Sequence, residues 1–185
     1  MSRIPEFNCT RVSKRCGILY KIRYNLTTEA LISIYYTLCY PHLMYCVSIW
    51  ASTWPSFLNK VVIAHNKVIR CIFFLGKFDS VAQITSTMKM LKFIHIHKYF
   101  SLLLIYKMLN YRNNDIFKIV NLRSTRSNNV DLICPQFRTT LYRNSIICSG
   151  PKLYNSLPLK IKSIVKTGNL SLFKREIKQH ILENQ

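Results

Sequence analysis

The sequence predicts a mainly α-helical domain with a small β-hairpin element in its C-terminal half. Three observations carry this. Leu58, Val61, Val62, His65, Val68, Ile69, Ile72 and Phe73 share one broad face of a helix that Gly76 closes. Leu172, Phe173, Ile177 and Ile181 mark the inner stripe of a terminal helix whose outer face carries Lys174, Arg175 and Lys178. Between these helices, "DLIC" and "QFRTTLYRNSIIC" are short β-like runs that pair as a hairpin.

The remaining elements follow in order. Val12, Cys16, Leu19 and Ile22 recur at helical intervals among Lys14, Arg15, Lys21 and Arg23, a basic amphipathic helix despite Gly17. Thr27 or Thr28 caps the next helix, with Glu29 in its first turn. It runs to Cys39 or Tyr40 and stops at Pro41, because the residue before a proline avoids helical geometry. A short helix follows from His42 to Trp50, and Trp54-Pro55-Ser56 ends that unit. After the long helix over 57–75 come a shorter one from Ser80 to Thr87 and a mostly buried one in "HKYFSLLLIYKMLNY". Beyond Asn110 the chain turns polar, Asn-rich and basic, and reads largely as loop. Gly150-Pro151 closes the hairpin region. The organisation expected is a helical region over 11–110, a loop-rich basic region with short strands over 111–149, and C-terminal helices over 150–185. No internal repeat is visible.

The 185 residues suit one domain with at most a small appendage, and 49% hydrophobic content excludes a disordered chain. Lys and Arg number 27 against 7 Asp and Glu, a net charge of +20. Such an imbalance calls for a polyanionic partner, nucleic acid before an anionic membrane surface. The 7 cysteines are odd in number, and "MSRIPEFNCTRVSKRCG" has no apolar signal core. The expectation is an intracellular protein of cytoplasm or nucleus, not secreted, whose reduced thiols act as small buried hydrophobes.

The chemistry-bearing residues are sparse. In "CYPHLMYCVSIW", Cys39, His42 and Cys46 would share a helix face, but Pro41 interrupts it and no Cys-x-x-Cys pair completes a zinc set. His95 and His97 are two apart and diverge on a helix. No metal and no cofactor is expected. Ala30 to Asn59 carries no Lys, Arg, Asp or Glu and is long enough to span a bilayer. Pro41, His42, many tyrosines and basic flanks on both sides favour a buried helix pair instead. The acids are Glu6, Glu29, Asp79, Asp115, Asp131, Glu176 and Glu183, with no two adjacent or one helical turn apart. Two-metal phosphoryl chemistry needs clustered carboxylates. With only 4 glycines there is no phosphate-cradling loop, so no catalytic residue and no small-molecule substrate is expected.

The basic residues recur beside aromatics, in "LYKIRY", "YKMLNYR", "QFRTTLYR" and "GPKLY". Cations that neutralise phosphates beside rings that offer stacking faces suit single-stranded nucleic acid. The candidate contacts are Lys14, Arg15, Lys21, Arg23, Lys67, Arg70, Arg123, Arg126, Arg138, Arg143 and Lys152. A solvated basic face with its tyrosines turned inward would account for the same pattern at any one position.

The order of these features resembles the region after the polymerase core in reverse transcriptases of jockey-like non-LTR (LINE-type) retrotransposons. Leu31, Tyr35, Tyr36, Tyr40, Pro41, Leu43, Tyr45, Cys46 and Trp50 match one series of that family. Asn66, Lys67, Ile69 and Arg70 match its Gln-Asn-Lys-x-Ile-Arg helix, with His65 in place of Gln. "TRSNNVDLICPQFRTTLYRNSIICSGPKLYNSLP" is similar to its Thr-Arg-Ser, Pro-x-x-Arg-Thr and Gly-Pro-Lys-Leu-Trp-Asn-Ser-Leu-Pro series, with Tyr154 where Trp is usual. "LFKREIKQHIL" is similar to its terminal helix, with Ile177 in place of Leu, and Ala51 replaces a Gly that often follows Trp50. The likeness runs from about Arg11 to Leu182. It implies a thumb-side and C-terminal piece of an RNA-directed DNA polymerase, without the palm and its aromatic-x-Asp-Asp motif. Such a piece is non-catalytic alone. Its implied partners are RNA or an RNA/DNA duplex and the missing upstream palm. Two other readings stand beside it: a degenerate remnant that only packs structurally, and a membrane-associated basic protein.

Overall fold

The structure is a computed structural model and describes residues 3–52, 55–110 and 131–184. The chain divides into two compact units, Met1–His97 and Lys98–Asn184.

In the first unit, α1 (Arg3–Ile22) buries Val12 and Leu19, as their spacing predicts, and ends in a 3-10 turn over Arg23–Asn25. Thr27 caps α2 (Thr28–Ile34), its Oγ1 accepting from the Ala30 N–H at 3.3 Å. Pro41 does not end this helix, contrary to expectation. A π-helical turn over Tyr35–Cys39 leads directly into α3 (Tyr40–Met44). There the Tyr40 N–H reaches back five residues to the Tyr35 carbonyl. The widened turn lets the chain pass a residue that lacks an N–H and whose ring crowds the preceding turn. The break comes later, at Cys46, whose φ of 49° is left-handed. The expected His42–Trp50 helix is therefore split, leaving α4 (Val47–Trp50). Trp50 closes the break by donating Nε1–H to the Tyr45 carbonyl at 2.7 Å while its ring stacks on Phe93.

The amphipathic face of α5 (Pro55–Ile72) buries Val61, His65, Val68, Ile69 and Ile72. Phe74, and not Gly76, takes the left-handed position after it, with φ 54°. The Leu75 N–H then bonds the Arg70 carbonyl and the Phe73 N–H the Ile69 carbonyl. Helices α1 and α5 pack along their lengths. Cys9 meets Lys60, Cys16 meets Cys71 and Tyr24 meets Phe74, so the two run in the same sense. The unit continues through α6 (Ala82–Thr87) to the start of α7 (Phe93–Asn110), which crosses the division between units.

The second unit has no strand among its described residues, and the expected β-hairpin is absent. Two local effects displace it. Side-chain amide bonds from Asn155 occupy both backbone groups of Leu132, at 2.8 and 2.7 Å, so "DLIC" has no ladder to offer. Thr139 caps α8 (Thr140–Asn144) through the Tyr142 N–H, and α9 (Ile146–Asn155) starts immediately afterwards. Helix α9 runs on through Gly150-Pro151, which the sequence marks as a stop. A Cβ at Gly150 would come within 3.1 Å of Ile105 Cδ1, so the glycine sets how closely that turn approaches α7. Gly168, at φ 71°, ends α10 (Leu159–Thr167), and Asn169 caps α11 (Leu170–Glu183). Phe173, Ile177 and Ile181 are buried and Lys174, Arg175 and Lys178 exposed, as their spacing requires.

Lys162 reinforces the Asn155 clasp, donating to Asp131 Oδ1 and to the Asn155 carbonyl, each at 2.8 Å. Asn155→Ala strips both partners from Leu132, which is only 7% exposed. Unfolding in urea is expected to show a loss of about 2 kcal/mol, the usual cost of orphaned buried backbone groups. An unchanged midpoint would mean that the 131–132 segment is held by something else.

Candidate nucleic-acid interface

Helix α1 and the C-terminal end of α5 leave a cleft of about 400 Å³ between them. Cys16 from α1 and Ile63, Lys67, Arg70 and Cys71 from α5 line it. Tyr20, Arg23 and, from the segment after α5, Leu75, Lys77 and Phe78 complete its lining. Four cations, Arg23, Lys67, Arg70 and Lys77, thus surround a largely apolar hollow.

Arg23 is held by rings. Its guanidinium carbon lies 4.2 Å from the Tyr20 centroid, 4.7 Å from that of Tyr24 and 5.1 Å from that of Phe74. An Nη2–H also donates to the Tyr24 hydroxyl at 2.5 Å. Phe74 reaches this cluster because its backbone is left-handed, a conformation that costs a bulky residue on the order of 1 kcal/mol. Arg70 donates its Nε–H to the Asp79 carbonyl, and the Asp79 carboxylate accepts from the Gly76 N–H at 2.7 Å, which fixes the loop that carries Lys77 and Phe78. Phe78 lies in the open, 91% exposed, with Lys77 Nζ 5.5 Å from its centroid.

The thiols in this lining are poor nucleophiles. Burial first, then repulsion from Cys71, pushes the Cys16 thiol up to about 11, and burial raises Cys71 as well. Both are protonated at neutral pH. Among the described residues no group of three or more His, Cys, Asp or Glu is placed to hold a metal. In the 39–50 stretch Cys39 is buried in the core while Cys46 is exposed at the helix break, so the two thiols part. Among the described acids, Asp79, Asp131, Glu176 and Glu183 each make a hydrogen bond or ion pair.

Of the candidate contacts, Arg23, Lys67 and Arg70 come together in the cleft. Lys14, Arg15 and Lys21 lie on α1 but do not line it. In the second unit, Arg143 of α8 and Lys152 of α9 converge on Phe137, at 5.6 and 5.3 Å from its centroid, with exposed Arg138 next in sequence. Arg123 and Arg126 lie outside the described residues. Sequence reasoning missed Lys77, Phe74 and Phe78. Their signal was "FFLGKF", two aromatics at a helix end and one beside a lysine.

No described helix is long and apolar enough to cross a membrane. The uncharged run from Ala30 to Asn59 is divided among α2, the π turn, α3, α4 and the first turn of α5. No protein-family model, curated protein or solved structure matches the chain.

Proposed function

We propose that this chain is a non-catalytic nucleic-acid-binding piece of an RNA-directed DNA polymerase resembling those of non-LTR retrotransposons, and that it grips RNA. The observation that carries the binding is the α1–α5 cleft, where four cations and a cluster of aromatic rings meet. The ordered series of motifs from Arg11 to Leu182 supports the polymerase origin. The Phe137 cluster supplies a second basic and aromatic surface. The chain's +20 charge supplies the long-range attraction.

The test is fluorescence anisotropy with a labelled single-stranded RNA across a salt series. Each neutralised phosphate contributes a slope of about −0.7 for single strands. If each of the four cleft cations meets one phosphate, the slope is about −3 and affinity falls about 50-fold between 50 and 200 mM salt. Replacing Arg23, Lys67, Arg70 and Lys77 together by Gln should remove that part of the slope. Absent or salt-insensitive binding would overturn the proposal.

A further inference from the structure

The cations explain attraction to phosphate but not the rings among them. Phe78 belongs to the lining of the cleft yet stands almost wholly in water, on the loop that Asp79 pins. Tyr20 lines the same hollow and is about half exposed. A cleft of about 400 Å³ falls near the small end of ligand pockets and holds one nucleotide-sized group. Protonated thiols and Ile63 stand among the cations in a largely apolar lining, which suits a flat apolar face.

From this we infer that the cleft takes one unpaired base of a single-stranded nucleic acid, stacked against Phe78, with the flanking phosphates on Arg23, Lys67 and Arg70. A duplex hides its base faces by stacking them on one another, so only an unpaired base has a face to offer. An acidic peptide could satisfy the cations but has no use for a solvent-exposed phenyl ring. Arg23 is preorganised for the phosphate. The rings of Tyr20, Tyr24 and Phe74 hold its guanidinium and the Tyr24 hydroxyl takes one Nη2–H, which leaves the remaining terminal N–H groups for an oxyanion. The inference rests on the nucleic-acid reading above and specifies what that site selects.

The experiment compares three probes of equal length on the full chain: oligouridine, an abasic ribose-phosphate oligomer with the same charge, and duplex RNA. The wild-type chain should bind oligouridine about tenfold more tightly than the abasic oligomer, the usual scale of one stacked base. Phe78→Ala and Phe78→Leu should both erase that preference, bringing oligouridine to the affinity of the abasic oligomer. Neither should alter the melting temperature, because the side chain is exposed. Equal wild-type affinity for oligouridine and the abasic oligomer would overturn the inference while leaving phosphate binding in place. So would a preference that survives Phe78→Leu, duplex binding as tight as single-strand binding, or competition by polyglutamate as effective as that by oligouridine. Failure of all three nucleic-acid probes to bind would overturn the nucleic-acid reading together with the inference.

Discussion

Phe173→Ala should cost the second unit about 3–5 kcal/mol, the range for truncating a buried aromatic ring. The ring is fully buried and stacks on Tyr106, with centroids 4.3 Å apart and planes 29° from parallel. Both the lost apolar area and the lost ring pair therefore contribute. Helix α11 cannot slide to fill the space. Gly168 turns the chain at a left-handed φ, and Asn169 Oδ1 fixes the first turn by accepting from the Leu172 N–H at 3.1 Å. Against a total stability of roughly 5–15 kcal/mol, this loss lowers the melting temperature by on the order of 10 °C. Phe173→Leu keeps most of the volume and should cost about 1 kcal/mol. Thermal melts followed by circular dichroism separate the two variants. A Phe173→Ala protein that melts within a degree or two of wild type would mean that α11 does not dock through this ring.

That prediction uses a residue whose role the sequence alone assigns. Phe173, Ile177 and Ile181 repeat at helical spacing with lysine and arginine between them, and a pattern of that kind has one solution. The same holds for Val61, His65, Val68, Ile69 and Ile72 on α5. Expectation failed where a local rule met a competing interaction. At Pro41 a π turn absorbed the missing N–H, so the proline rule misplaced the helix end by several residues. At Leu132 the backbone bonds that a strand would need go to a side chain 23 residues away, which no periodicity reveals. "TTLYRNSIIC" looks β-like by composition, yet Thr139 and Ser145 start helices there.

The cleft was legible only in part for a similar reason. Arg23, Lys67 and Arg70 are basic positions beside aromatics, and that signal is local. Their convergence depends on α1 and α5 running in the same sense, which follows from tertiary packing. Phe74 enters only because a bulky residue occupies a left-handed position that the sequence assigns to Gly76. Such a substitution loses stability where a glycine would not, and here the ring it retains is one of the three that hold Arg23.

The packing that holds α5 in place also makes the protein acid-sensitive, through His65. This residue is fully buried in α5, and its Nε2 lies 2.8 Å from the Tyr35 hydroxyl on the π turn. Its Nδ1 has no hydrogen-bond partner among the described residues. Burial alone pushes the imidazole down to about 4, from an unfolded value near 6.5. Between those values the unfolded chain binds a proton that the folded chain refuses, so stability rises with pH there. The contribution is complete above pH 6.5 and lost as pH falls through 4, a span of about 3 kcal/mol. His65→Gln keeps a group able to bond the Tyr35 hydroxyl but does not titrate. Carboxylates and the other histidines titrate equally in both proteins, so the difference between their stability curves isolates His65. That difference should be flat above pH 6.5 and move in favour of the Gln variant by about 3 kcal/mol by pH 4. Parallel curves across that window would show that His65 accepts its proton without unfolding the chain. Lys67, Arg70 and Cys71 sit on the next turns of the same helix, so the proposed RNA binding should fail in acid together with the fold. In the Gln variant that proposed binding should persist to lower pH, which would tie the geometry of the cleft to one neutral imidazole on the helix that lines it.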